Sequence, residues 1–353
     1  MSRSRTGQKA YAVRRDKSAV KRITALFNGF REGTLLLTIF IISVVMSYLS
    51  PAYLTAGNII TTIFGFSIQG IVVVGMTLAL ISRGIDLSVG SVVGLTGVVA
   101  GSLFLKGMNI WLAIPIAFAV SLLCGCINGL FITRVGLNPF IMTLVMMGIG
   151  RGMSYVLTRG TPLPLQSLPQ SFKVIGTGSL LGIPYIILIF ALITLVGDYL
   201  IRRSTLFRQV FYVGSNETAA IYSGINTDLV KFGVYTFTGA LAGIAGILSL
   251  ARFGVATPTF GTGLEMSVIS AAVIGGASLN GGEGTVLGAV LGVVLLGIIN
   301  SSLILLGVSV YWQQLISSVI LLAAVSSDYM FQVRKKMRFL KMGDKNRETG
   351  DKP

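Results

Sequence analysis

From Gly33 to Ser82 the chain runs 50 residues without a charged side chain, and from Gly284 to Ser327 it does so for 44. A water-soluble domain does not accommodate such blocks, because soluble chains carry about a quarter charged residues. Here only 11% of residues are charged and 53% are hydrophobic, so the 353 residues read as one membrane-embedded domain.

A helix that crosses a bilayer takes about 20 mostly apolar residues. Against that ruler the first block divides at Ser50-Pro51, with Asn58 as a helix cap, into spans near 34–50 and 58–82. Further spans follow at 87–105, at 107–133, from Asn138-Pro139 through Arg151 to about Thr158, and from near Leu181 to Gly197. The remaining apolar runs place spans at 232–251, at 266–282 and on either side of Gly307 within 284–327. The expected fold is therefore all-α and polytopic, with about ten transmembrane helices over 34–330, a tail at 1–33 and another at 331–353. A short or re-entrant segment near 266–282 would change the parity.

Charge placement gives the orientation. Of 28 Lys and Arg residues, nine precede position 32 and eight follow Asp328, giving two basic tails on an apolar chain of net charge +16. With both termini in the cytoplasm, 23 of the 28 fall on the inner side, as the positive-inside rule expects for a multi-pass membrane protein. The five left over are Lys106, Arg151, Arg159, Lys173 and Arg252. Contact with membrane lipid explains the composition, and neither tail carries the interleaved aromatics of a nucleic-acid platform.

Catalysis finds no support in the sequence. The chain has no His, the commonest metal ligand and general base. Cys124 and Cys126 point in divergent directions on a helix, so they read as packing residues. Some thirty polar and basic residues precede the first apolar run, unlike a cleavable signal peptide. No catalytic, cofactor-binding or metal-ligating residue is expected.

Within the spans, glycine stripes such as Gly90, Gly94, Gly97 and Gly101, or Gly284, Gly288, Gly292 and Gly297, read as seams between helices, or else as kinks or pore-lining points. Asp86, Glu265 and Glu283 stand at expected span starts, where a carboxylate accepts from orphan backbone N–H groups. Acids there also raise a proton or cation path. A secondary transporter driven by an ion gradient, with Asp86 or Glu283 in its coupling site, is the alternative reading. Arg83–Ser91 and Asn280–Gly288 resemble one another weakly, each leading into a Gly/Val-rich span. Gln69, Asn128, Asn300, Gln313 and Gln314 are neutral polar groups suited to lining a path through the bundle, and equally to hydrogen bonding between helices.

Two loops are long. The outer one, about 159–180, holds Pro162, Pro164 and Pro169 and reads as an ordered lip, either a partner contact or a connector. The inner one, about 202–231, has Ser215 or Asn216 as N-cap, Glu217 in the first turn and Gly224 as a stop, with Asp198 and Arg202 spaced to pair at its start. Its helix is about two turns long and would not persist alone in water, so it reads as an element that docks in a groove of another protein.

The segment Gly214-Ser-Asn-Glu217-Thr-Ala-Ala220-Ile-Tyr-Ser-Gly224-Ile225-Asn226 resembles the Glu-Ala-Ala loop through which permease subunits of ATP-binding-cassette importers engage their ATPases. The stretches Gly75–Gly90, Asn138–Leu144, Ile274–Thr285 and Tyr311–Gln314 are similar to those of ribose/xylose/autoinducer-type sugar permeases within the branched-chain amino acid and sugar permease superfamily. Such permeases usually carry Phe-Gly-Arg before the loop, where this chain has Phe207-Arg-Gln209. The resemblance implies a permease subunit that pairs with a second permease chain, receives a monosaccharide from an external solute-binding protein and docks an ABC ATPase through Gly214, Asn216, Glu217, Ala219, Ala220, Gly224 and Ile225. It also implies that ATP and Mg are bound by that ATPase. In agreement, the chain contains no Gly-x-x-x-x-Gly-Lys-Ser/Thr loop.

Overall fold

A computed structural model describes residues 31–309 and part of 311–330. The two basic tails, Gln314 and Asp328 lie outside the described residues. Among those described, the first helices are α1 (Arg31–Leu49), α2 (Ala56–Ile81), α3 (Val89–Leu105), α4 (Ile110–Leu130, continued by a π-helical turn at Phe131–Val135) and α5 (Pro139–Thr158). A lip follows, with β1 (Leu163–Pro164), α6 (Gln170–Thr177) and the hairpin β2 (Ser179–Leu180) and β3 (Ile183–Pro184). Next come α7 (Tyr185–Arg203), α8 (Thr205–Ser215), α9 (Glu217–Tyr222), α10 (Thr227–Phe253), β4 (Val255–Ala256), α11 (Leu264–Ile274) and α12 (Val286–Leu305). The residues described between 311 and 330 are helical.

Seven of these helices are long and apolar enough to cross a membrane: α1, α2, α4 with its π turn, α5, α7, α10 and α12. The expected span at 87–105 forms α3, which is 17 residues long. The expected span at 266–282 is corrected: only Leu264–Ile274 is helical, and 11 residues rise about 16 Å against a hydrocarbon core of about 30 Å. Two consecutive glycines, Gly275 and Gly276, end it, and the chain then runs without regular structure to Thr285. Thr285 caps α12 by accepting from the Gly288 N–H at 3.0 Å.

The ends follow local chemistry. Asn138 Oδ1 accepts from the Phe140 N–H at 2.9 Å, with Pro139 at the first helical position of α5. The cap of α2 is Thr55 and not Asn58, whose side chain instead joins helices: its Nδ2 donates to Tyr53 O at 2.8 Å and its Oδ1 accepts from Ser301 Oγ on α12 at 3.2 Å.

Most of α2 and α10 is buried, whereas α1 is largely exposed at the periphery. The buried helix α10 packs against α2, α3 and α4. Lipid offers no hydrophobic drive between helices, so close backbone approach holds such a bundle together. The glycine stripes serve that approach. A Cβ on Gly97 would meet Gly246 O of α10 at 3.6 Å, and one on Gly246 would meet Val93 O at 2.5 Å. On the other seam, Gly288 and Gly292 of α12 lie against the carbonyls of Gly275 and Ala271.

The lip is folded onto the bundle. β1 pairs antiparallel with β4, Leu163 opposite Ala256. Leu165, Leu168 and Phe172 are buried with Val98, Ile110 and Leu250 in a second apolar cluster, and the Phe172 ring meets Trp111 edge-on at 6.2 Å. One face of the molecule thus carries the lip, and the opposite face carries α8 and α9.

Candidate functional site

On the α8–α9 face, three stretches distant in sequence meet. The Gly282 N–H donates to Ile81 O, at the end of α2, over 2.8 Å. Gly214 is pressed against that same carbonyl, so that a Cβ there would overlap it and lie 2.8 Å from Gly282 N. A Cβ on Gly281 would in turn sit 2.8 Å from both Gly214 O and Arg83 Cβ. The two glycine-flanked acidic turns that resemble one another in sequence are therefore neighbours, with the end of α8 wedged between them.

From this wedge the chain turns into α9. Asn216 is the N-cap, its Oδ1 accepting from the Ala219 N–H at 3.0 Å. Glu217 pairs with Lys231 of α10, and Asp198 pairs with Arg202 at 2.7 Å at the end of α7. Gly224, at φ +80°, stops the helix: the Ile225 N–H donates to Ala220 O at 3.0 Å and the Gly224 N–H to Ile221 O at 2.9 Å. Ala220 is buried beneath this turn, while Ala219 and Gly224 are exposed and Ile225 is half-buried. Ile221, Tyr222 and Leu229 remain exposed, Tyr222 at 88%. These exposed apolar side chains thus stand on or beside a six-residue helix that is held at both ends.

Behind the wedge lies a buried polar chain. Asp86 is 1% exposed, and its Oδ1 accepts from Ser88 N–H at 2.9 Å and Ser88 Oγ at 2.6 Å. Ser88 Oγ accepts in turn from Asn128 Nδ2 of α4 at 3.0 Å. Asn128 is thus an interhelical bond, and Asp86 orders the turn before α3 without reaching the first N–H groups of that helix. Tyr235 of α10 packs its hydroxyl against Gly84 of the same turn. Glu283 is exposed two residues before the cap of α12. Of the three acids, Glu265 alone lies in a first helical turn, where its Oε1 accepts from Gly263 N–H at 3.2 Å.

Toward the lip face, residues 255–263 form a strap that dips back into the bundle along α3. Ala256 lies beside Gly101, Phe260 O beside Gly94 and Gly261 O against Gly90, a descent of 11 helical residues or about 16 Å. Gly261, at φ +75°, has no side chain to collide with Gly90. Irregular backbone at membrane depth must find partners within the protein. Arg151, in the second half of α5, supplies them: its Nη1 donates to Pro258 O at 2.6 Å and Phe260 O at 2.8 Å. Glu265, within electrostatic reach of Arg151, buries its second carboxylate oxygen against Gly90. Sequence reasoning counted Arg151 only as an interruption of a span. A lone Arg within an apolar helix was the available signal.

Gln69 is half-buried on α2 and lines a cavity of about 390 Å3 between that helix and the strap. Asn300 is half-buried on α12, and Gln313 folds locally, its Nε2 donating to Val308 O at 3.0 Å.

Buried polar turns, an irregular strap packed along α3 and an exposed short helix accompany seven helices long and apolar enough to cross a membrane. The sequence agrees over most of its length: residues 58–325 match the family model described as the permease component of branched-chain amino acid transport systems, and the chain belongs to that family. It is 38% identical over 299 residues to the ribose import permease protein RbsC of Escherichia coli K12, covering 84% of this chain and 93% of that one. The ribose import permease of Bacillus subtilis is 35% identical over 292 residues (83% and 91%), and the D-allose transport system permease AlsC of E. coli K12 is 34% identical over 296 (82% and 90%). No solved structure shows a significant match.

Proposed function

We propose that this chain is the membrane subunit of an ATP-binding-cassette importer for a monosaccharide or similar small polyhydroxy solute, working as one of a pair of permease chains. Both termini and the α8–α9 face are cytoplasmic, and the chain crosses the membrane ten times. The α11 unit continues through residues 275–285 to the same face as the end of α2, which keeps the crossing number even. The lip face meets an external solute-binding protein. Ribose and allose permeases among the relatives support the solute class.

The observation that carries the reading is the wedge: the docking knob α9 is joined through Gly214 directly to the backbone at the ends of α2 and of the 275–285 turn. ATP and Mg are held by the ATPase, and closure of its subunits pushes α9. The push passes through Gly214 to Ile81 and Gly282, and so tilts α2, α11 and α12 between outward and inward openings. Solute passes because these states expose a polar seam, without any residue here reacting.

Glu217→Arg puts two like charges together where Glu217 now pairs with Lys231, and Gly224→Trp puts a large side chain where φ is positive. Each variant loses co-purification of the ATPase from detergent while reaching the membrane at the normal level. Undiminished co-purification of both variants would remove α9 from the interface.

A further inference from the structure

The cavity between α2 and the strap is of small-molecule size, its 390 Å3 falling within the range of about 300–1,000 Å3 that such sites occupy. Thr61, Phe64, Gly65 and Ile68 give it one wall, recurring at the three- and four-residue spacing of a single helix face. The strap closes it with Phe260 and Thr262, and the end of α10 contributes Arg252 and Phe253.

Its chemistry is unspent. The Arg252 guanidinium lies 4.0 Å from the centre of the Phe64 ring, and among the described residues it donates no hydrogen bond and forms no ion pair. The amide of Gln69 likewise has no hydrogen-bond partner among the described residues. Both groups are half-buried and line the cavity, so an occupant able to accept from them takes the place of water there. The walls around them are aromatic, Phe253 and Phe260 standing 5.7 Å apart. No carboxylate lines the cavity, so a cation is disfavoured. A fork of donors, a neutral amide and aromatic rings together match one amphipathic ligand class: a sugar ring, with hydroxyls at its edge and a C–H face to lay on a ring.

The geometry points to this cavity as the holding site for the imported monosaccharide. Gln69 and Arg252, the latter steadied on the Phe64 ring, read its hydroxyls, Phe260 receives its apolar face, and the strap forms the wall on the lip side. This inference rests on the import reading above. It adds Arg252 and the strap, which sequence reasoning had left as an outer charge and a loop.

The test uses the complete importer in proteoliposomes, with radiolabelled D-ribose, D-allose and D-fructose as probes. Gln69→Leu and Arg252→Gln each lower uptake of the transported sugar by about tenfold, with the ATPase still bound. In a chain whose Cys124 and Cys126 are replaced by Ala, Thr262→Cys reacts with an external membrane-impermeant maleimide, and the transported sugar with its binding protein slows that reaction. If both substitutions leave uptake unchanged, or sugar leaves labelling of Thr262→Cys unchanged, the cavity is not the site although import stands. If the unsubstituted importer takes up none of the three sugars, the import reading falls, and the site falls with it.

Discussion

Gly214→Val sharply lowers solute uptake while the chain still inserts in the membrane. The added side chain falls on Ile81 O and crowds Gly282 N, the two atoms joined by the 2.8 Å hydrogen bond that locks α2 to the turn before α12. Neither neighbour is a flexible side-chain end that can swing away, so α8 must lift or the two turns must part. Overpacking of this kind costs about 1–3 kcal/mol, and here the displacement is at the joint proposed to carry the ATPase stroke. Where that cost falls on the stroke, uptake in proteoliposomes should fall by about five- to 140-fold, since each factor of ten corresponds to about 1.4 kcal/mol. Gly214→Ala, with one methyl group, falls less. Uptake by Gly214→Val at the unsubstituted rate would show that the joint carries no motion.

Arg151→Leu produces the largest loss of stability. It keeps α5 apolar and helical, so composition alone would class it as an improvement for a span. The structure gives the opposite sign, because Pro258 O and Phe260 O lose their charged donor at a depth where water does not replace it. Hydrogen bonds to charged groups contribute about 1.5–3 kcal/mol each, so a loss of about 3–6 kcal/mol is expected for the pair. Thermal unfolding in detergent should show a clearly lowered midpoint. Arg151→Lys, which keeps a donor but not the planar fork, recovers part of it. A midpoint unchanged by Arg151→Leu would mean that the strap does not depend on this contact.

What the sequence disclosed was what neighbouring residues decide. Asn138-Pro139, the Gly224 stop and the Asp198–Arg202 pair each act within a turn of helix, and each appears where its spacing indicates. The charge-free blocks likewise mark the long helices. The strap was not legible, because Val255–Gly263 has the composition of any connector and its partners Gly90, Gly94 and Arg151 are more than a hundred residues away. The apolar run at 266–282 was long enough for a span, but hydropathy does not register that Gly275 and Gly276 release the helix after Ile274. Asn58 fitted a cap by type and position, and only the approach of Ser301 from α12 gives its side chain a different partner. Gln69 and Asn128 were alike on paper as neutral polar residues in spans. The fold separates them, since Asn128 is buried with its Nδ2 on Ser88 and Gln69 lines a cavity.

The central claim is that movement on the α8–α9 face, driven by a partner's ATP, opens a path for sugar through this chain. Proteoliposomes holding the chain with its ATPase and solute-binding protein test it most directly, with ATP and Mg supplied on the ATPase side and labelled ribose, allose or fructose on the other. Sugar accumulation that needs ATP and every partner, and that falls sharply with Gly214→Val, is the expected result. Uptake by the chain alone, driven by an ion gradient without ATP, would contradict it and return Asp86 and Glu283 to the centre of the mechanism.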